Sequence, residues 1–289
     1  NLEIQNKYYE NAETVSKSLA FIMKTQLVKR LESSFYAFKK SLGNFQQATD
    51  RMITMFENDK IFIAPDTNVN KLLDKGWSEE DIEKEIERLS EENPKNQTFK
   101  KSDFKPDFIE NLKKDSRLLK ELVKEWNAIT NDPKLDVFIK ELTKQFLNKK
   151  TNVEGKLVIF SESKDSVDYV AKALTDAGRK DVLVISAANR KQMYDTIVTN
   201  FDANQDEDKQ VSDYNIIITT EVLAEGVNLH RSNVVIHYDT PWNSTKLMQR
   251  VGRVNRIGTK ANAIYNYVFY PSAQGDSQIH LNKTAFMKI

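Results

Sequence analysis

The sequence predicts an α/β fold, a parallel sheet with helices on both faces behind a mostly helical N-terminal region. Three observations predict it. Short apolar runs, KLVIF at 156–160, VLVIS at 182–186, IIIT at 216–219 and VVIHYD at 234–239, recur through the C-terminal half. They are rich in β-branched residues and carry few polar positions, which suits strands covered on both sides. Amphipathic helical patterns alternate with them, and alternation of strand and helix specifies crossover connections and a parallel sheet. Before residue 150 the apolar spacing is instead mostly that of helices.

In order along the chain, Leu19, Ile22, Met23, Leu27, Leu31, Phe35, Phe38, Leu42 and Phe45 repeat every three or four residues. They predict helix over residues 1 to about 60, with Gly43-Asn44 as the place where it breaks or ends. IFIAP at 61–65 is too short to assign. From about 66 to 131 the composition turns charged. Ser78 reads as an N-cap for GWSEEDIEKEIERLSEE, and DFIENLKKDSRLLKELVKEWNAI returns to helical spacing with Leu112, Leu119, Leu122 and Trp126 available for burial. The segment predicts a helical insertion whose mixed charge is either a solvated surface or a grip on a nucleic acid or protein partner. DPKLDVFIKELTKQF predicts a further short helix. After the KLVIF strand, Ser161 or Ser163 caps a helix that Gly178 closes. A helix carrying Arg190, Met193, Ile197 and Phe201 follows VLVIS, and AIYNYVFY closes the order as a last strand. Domains are expected at 1–150, 151–270 and 271–289, the last a truncated extension. The chain does not begin with Met and stops at AFMKI, so it reads as an excised fragment.

A chain of 289 residues, 39% of them hydrophobic, can bury a sizeable core, while a 29% charged fraction implies broad solvated surface. No apolar run reaches transmembrane length and no signal peptide is visible, so a cytoplasmic protein with no membrane partner is expected. The absence of cysteine excludes disulfides and thiolate metal sites. Three scattered histidines, 230, 237 and 280, give no metal-ligand spacing, and no metal-ligating residue is assigned. With a net charge of +1, nucleic-acid binding must use a local patch.

The residues with the most chemistry follow VVIHYD. Pro241-Trp242-Asn243 leads into a helix, with Asn243 as N-cap and Trp242 either packing beneath it or stacking on a base. Gln249, Arg253 and Arg256 fall at i, i+4 and i+7 and share one face, opposite Leu247, Val251 and Val254. Gly252 within the helix costs about 1 kcal/mol relative to Ala, which points to a close approach by a ligand or backbone. The row of one amide and two guanidiniums is either a solvated basic face or a phosphate contact. In a parallel sheet ligands gather beyond the carboxyl ends of the strands, which here gathers Ser161, Ser186 to Arg190, Thr219-Thr220 and Asp239 to Trp242. Arg190 and Lys191 add local charge for a phosphate backbone there. For each Ser or Thr, capping competes with phosphate contact. His237 reads as a strand residue without a catalytic role. G-x-x-x-x-G-K-[ST] is absent, and Asp206-Glu207-Asp208 follows no strand and reads as a solvated loop.

QRVGRVNRIG at 249–258 resembles motif VI, and TTEVLAEGVNL at 219–229 resembles motif V, of superfamily 2 helicases and translocases. The run from Gly155 to about Tyr270 resembles the second RecA-like motor domain of that family. KRLESSFYAF is similar to a helix that precedes this domain in some Swi/Snf-like bacterial helicases, and a bacterial origin is expected only from this resemblance. The Arg-Ile-Gly ending and the Glu-Gly-x-Asn core resemble the Swi/Snf-type branch most closely. The resemblance implies the C-terminal motor half of an ATP-dependent helicase or translocase acting on nucleic acid, with double-stranded DNA expected. ATP and Mg²⁺ would be held mainly by the first RecA-like domain of the same full-length chain, so the fragment alone is expected to be inactive as an ATPase. Arg253 and Arg256 would be the arginine fingers, Gln249 would couple nucleotide to the finger helix, and Gly226 and Asn228 would approach the nucleotide. Glu225 would orient neighbouring loops. Thr219, Thr220 and Ser161, with Arg190, would contact nucleic-acid phosphates without reading sequence. The alternative is a non-catalytic module that keeps this fold to bind nucleic acid or protein, and residues 1–150 remain a candidate surface for a protein partner.

Overall fold

The computed structural model describes residues 12–63, 88, 97–241 and 244–279. The expected caps at Ser78 and Asn243, the role of Trp242 and the final AFMKI lie outside them. The chain forms two compact units, one of residues 1–20 with 39–129 and one of 21–38 with 130–289.

The described residues begin with two long helices, α1 (Ala12–Ser33) and α2 (Phe35–Glu57). The interruption falls at Ser34, not at Gly43-Asn44, which lies inside α2. The cause is side-chain competition with the helix backbone. The Ser34 hydroxyl accepts from the Ala37 amide at 3.1 Å and so caps α2, while the Phe35 amide donates to Asp132 at 3.2 Å. Ile22 and Met23, expected on the buried stripe, are about half exposed.

In the first unit α2 continues from Lys39. IFIAP contributes β1 (Ile61–Ile63), which pairs antiparallel with β2 (Gln97–Phe99) in the register Phe62↔Thr98. The helix α3 (Pro106–Ala128) begins on a proline, whose missing N–H costs nothing in a first turn. Phe56, Phe104 and Phe108 form an aromatic cluster with centroids 4.8–5.4 Å apart. Asp50 on α2 accepts from the Ser116 hydroxyl at 2.6 Å and pairs with Lys120 at 3.0 Å, hydrogen bonds that hold its carboxyl below the usual range against the effect of burial. Leu122 points to solvent, unlike the sequence expectation. The line of half-buried residues runs Ile109, Leu112, Leu119, Val123 and Trp126 around a buried Ser116. Val123 continues the three-four spacing, and Leu122 falls one residue, about 100°, off it.

The second unit carries five parallel strands in the order β4-β5-β3-β6-β7. In chain order these are β3 (Leu157–Phe160), β4 (Val182–Ile185), β5 (Ile216–Thr219), β6 (Val234–His237) and β7 (Tyr265–Val268). Alternate strand residues feed two separate cores, as the pleat requires. Leu157, Ile159, Ile218 and Ile236 pack against α4 (Pro133–Glu141) and α5 (Lys164–Asp176). Val158, Phe160, Ile217 and Val235 pack against α6 (Tyr194–Phe201) and against Val254. Asp132 caps α4, accepting from the Lys134 and Leu135 amides, and Ser163 caps α5. After α4 the chain widens into a turn closed by the Leu147 amide on the Leu142 carbonyl at 2.8 Å, which sets Leu142 and Phe146 in the first core. A half-buried Lys134 joins the end of α1 to the sheet, donating to the Glu32 and Ser33 carbonyls at 2.7 and 2.9 Å beside the Tyr238 ring. Burial lowers its pKa to about 8. The remaining helices are α7 (Ser244–Val251) and α8 (Ala273–Ile279). Among the described residues no helix is long and apolar enough to cross a membrane.

Candidate functional site

The carboxyl ends of β3, β5 and β6 lie side by side because the strands are parallel and in register, Phe160 beside Thr219 and His237. Ser161-Glu162-Ser163, Thr219-Thr220 and Tyr238-Asp239-Thr240 therefore leave the sheet together. Their side chains mostly bind one another. Asp239 accepts from the Ser161 hydroxyl and from the Ser33 hydroxyl of α1, each at 2.6 Å, and from the Glu162 amide at 2.8 Å. Ser161, at 1% exposure, turns its hydroxyl inward, and the buried Thr219 donates to the Thr220 carbonyl at 3.1 Å. A cavity of about 210 Å³ opens beside them, bounded by Lys29, Arg30, Glu162 and Asp239. Burial brings the Lys29 ammonium down to about pKa 8.

A network not foreseen in the sequence connects this edge to α7. Arg250 is fully buried and binds Glu221 at the start of the β5–β6 connection. It also lies 3.3 Å from Glu162 and 3.3 Å from Nδ1 of His237, with its guanidinium 5.3 Å from the Phe160 ring centre. Burial, reinforced by Arg250, lowers the His237 pKa to about 3. The imidazole is therefore neutral, and its tautomer follows from its neighbours. Nδ1 accepts from Arg250, and Nε2–H donates to Asn266 at 2.7 Å. Glu162 is pushed upward by burial and by Asp239, and held back by Lys246 and Arg250. The sequence signal for Arg250 is its position. It sits three residues after Leu247 and four before Val254, on the apolar stripe, where a cation needs a buried acid.

The finger segment differs from the uniform helix expected. Helix α7 ends at Val251, and Gln249 is its last member of the predicted face. The chain then tightens, with the Arg253 amide on the Arg250 carbonyl at 3.1 Å and the Val254 amide on Val251 at 3.0 Å. Arg253 thus projects from a three-residue turn, a common way for a helix to end, and Arg256 follows it with its amide on the Val254 carbonyl at 3.1 Å. Gly252 contributes to this tightening. A Cβ there would lie 3.2 Å from the Met248 carbonyl, so the close approach is made by its own preceding turn. Val254 is buried, as the stripe predicts.

Around these arginines the β5–β6 connection folds back. Gly226 has φ +76°, and a Cβ on it would meet Arg190 Nη2 at 2.5 Å. Arg190 lies in the turn before α6 and donates to the Glu225 carbonyl at 2.7 Å. The Gln249 amide approaches the Glu225 carboxylate at 3.4 Å. The Leu229 amide donates to the Arg253 carbonyl at 2.9 Å, joining the connection to the finger turn. Arg253 is half-buried, and burial together with Arg256 lowers its pKa against the pull of Glu225. Its Nε finds no partner among the described residues. Arg256 is exposed and makes one hydrogen bond, from Nε to the Gly252 carbonyl at 3.1 Å. No ion pair holds either guanidinium among the described residues. Gln249, Gly226, Arg190 and Arg253 therefore come together around Glu225, Asn228 turns to Asp202 at 3.0 Å, and Ser161 and Thr219 lie inside the sheet edge. No group of His, Asp and Glu suited to a metal ion occurs among the described residues.

Residues 134–258 match the family described as "Helicase conserved C-terminal domain". An ATP-dependent RNA helicase eIF4A of Yarrowia lipolytica is 34% identical over 113 residues, 38% of this chain and 26% of that protein. An uncharacterized ATP-dependent helicase, YqhH of Bacillus subtilis, is 34% identical over 74 residues, 26% of this chain and 13% of that protein. Among solved structures, the C-terminal part of the Fun30 ATPase domain is 18% identical with a TM-score of 0.40, each chain 84% covered. The chain spans about a quarter of the length of the eIF4A relatives it matches. The stretch that matches this family, residues 134–258, takes in α4 from Lys134, the strands β3 to β6 and the finger turn.

Proposed function

We propose that this chain is the C-terminal motor half of an ATP-dependent helicase or translocase, and that Arg253 and Arg256 complete an ATP site whose phosphate loop and Mg²⁺ belong to a first motor domain of the full-length protein. The observation that carries the reading is the state of the two guanidiniums. Arg250 is fully buried and ion-paired, while Arg253 and Arg256 stand at the same helix end with no ion pair among the described residues. A guanidinium is charged at any relevant pH and matches the oxygens of a transferring phosphoryl group. In this reading Gln249 and Gly226 line the nucleotide side, and residues 151–270 constitute the second RecA-like domain. Thr220, Arg190 and the amides at the sheet edge follow the nucleic-acid backbone. The buried hydroxyls of Ser161 and Thr219 support that edge from within.

For the track, the Arg-Ile-Gly ending and the Glu-Gly-x-Asn core favour duplex DNA and a Swi/Snf-like motor. The names of curated relatives, which include RNA helicases, favour RNA. Nucleic-acid-stimulated ATPase of the full-length protein with duplex DNA or RNA as the stimulant separates the two.

The sequence contains no G-x-x-x-x-G-K-[ST] loop. We expect the purified 289-residue chain to show no ATP turnover above buffer with DNA, RNA or neither. Turnover by that chain would overturn the division of labour proposed here.

A further inference from the structure

We propose that Asp202 is a positioning residue for the finger turn, acting through Asn228 and the segment Asn228–Arg231; the proposal rests on the finger reading above. Asp202 ends α6 and is 7% exposed. Its Oδ2 accepts from Asn228 Nδ2 at 3.0 Å, and its Oδ1 accepts from the Asn204 amide at 2.9 Å. The same oxygen lies 3.6 Å from Nδ1 of His230, which is 1% exposed and has no hydrogen-bond partner on either ring nitrogen among the described residues. One residue earlier, the Phe201 carbonyl accepts from the Arg231 amide at 3.0 Å. The end of α6 thus grips Asn228–Arg231 at both ends.

That segment in turn holds the finger turn at two points. The Leu229 amide donates to the Arg253 carbonyl at 2.9 Å. Gly258 lies against His230, where a Cβ on the glycine would stand 3.4 Å from Nε2 and equally far from Asn204. Arg256 is carried between these two points of attachment. The α6 end itself is fixed in the core by Ile197 and Phe201. A buried carboxylate is costly without donors in place, so Asp202 favours the arrangement of the loop in which Asn228 and the Asn204 amide reach it. A catalytic arginine displaced by about 1 Å can lose on the order of 10²-fold in rate. Asp202 touches no reacting atom in this account.

The test uses the full-length protein, with ATPase measured under saturating nucleic acid. Asp202→Ala is expected to lower kcat at least tenfold, with KM for ATP and nucleic-acid affinity within threefold of wild type. Asn228→Asp alone sets two carboxylates against each other and should lower kcat similarly. Adding Asp202→Asn to Asn228→Asp restores an amide–carboxylate pair with its members exchanged and should recover most of the loss. The exchange pair decides the matter if Asp202→Ala fails to fold. A wild-type kcat in Asp202→Ala, or an exchange no better than Asn228→Asp, overturns the inference. Arg256→Ala serves as the reference. If it is inactive while Asp202→Ala is normal, only the positioning role falls; if Arg256→Ala is itself active, the finger reading falls with it.

Discussion

Replacing Arg256 with Ala in the full-length protein is expected to reduce nucleic-acid-stimulated kcat by about 10³-fold or more while leaving nucleic-acid affinity and thermal stability nearly unchanged. The rate expectation follows from the charge developed on a transferring phosphoryl group, which a supplied arginine stabilises by roughly 10³–10⁵ in rate. A factor of 10³ corresponds to about 4 kcal/mol of transition-state stabilisation. The stability expectation follows from position. Arg256 is exposed and its hydrogen bond is to a carbonyl of its own turn, so truncation removes little that holds the fold. Exposed substitutions of this kind stay within about 0.5 kcal/mol. Arg256→Lys should rescue poorly, because an ammonium keeps the charge but loses the planar fork. Steady-state ATPase with a melting curve on the same preparation checks all three statements.

The largest effect on stability is expected one turn away. Arg250→Ala should destabilise the sheet-bearing unit by about 3–5 kcal/mol, because it empties the site of a fully buried side chain and strands the half-buried carboxylates that the guanidinium now holds. Glu221 and Glu162 both face Arg250, and His237 loses the donor to its Nδ1. Measured by chemical denaturation, a loss of this size is a large share of the 5–15 kcal/mol that holds a typical domain. In a unit of this size about 3 kcal/mol corresponds to roughly 6–12 °C in Tm. Pairing Arg250→Met with Glu221→Gln should recover much of it, since replacing both members of a buried pair avoids the unpaired charge. Equal stability of Arg250→Ala and wild type would show that the network contributes nothing.

What the sequence made legible depended on how local the cause was. β-branched runs specify strands through their own sterics, and LVIF, VLVI, IIIT and VVIH all form strands of one parallel sheet. Ser163 caps α5 three residues before the amide it accepts, a distance that pattern reading spans easily. At Ser34 the cap is equally local, but the bonds that favour a break there over a continuous helix are remote. Ser33 bonds Asp239, 206 residues away, and the Ser34 hydroxyl meets Ser166 at 2.8 Å. The β1–β2 pair joins segments more than thirty residues apart, and three apolar residues alone do not specify that partner. At the candidate site the resemblance singled out Gln249, Arg253 and Gly226, and the fold gathers them around Glu225. Helical spacing alone put Arg253 and Arg256 on a continuous helix that in fact ends at Val251. Arg250 went unread because its place on the apolar stripe was passed over and its opposing acids, Glu162 and Glu221, come from two strand ends remote from it in sequence.

The central claim is that Arg256 contacts the phosphoryl group in flight, which ground-state ligands do not report. The most direct measurement compares the affinity of the full-length protein, with nucleic acid bound, for MgADP and for MgADP with aluminium fluoride, a mimic of the transferring group. Wild type should bind the mimic at least about 10²-fold more tightly than MgADP, and Arg256→Ala should lose that preference while binding MgADP unchanged. The same preference in both proteins would contradict the account.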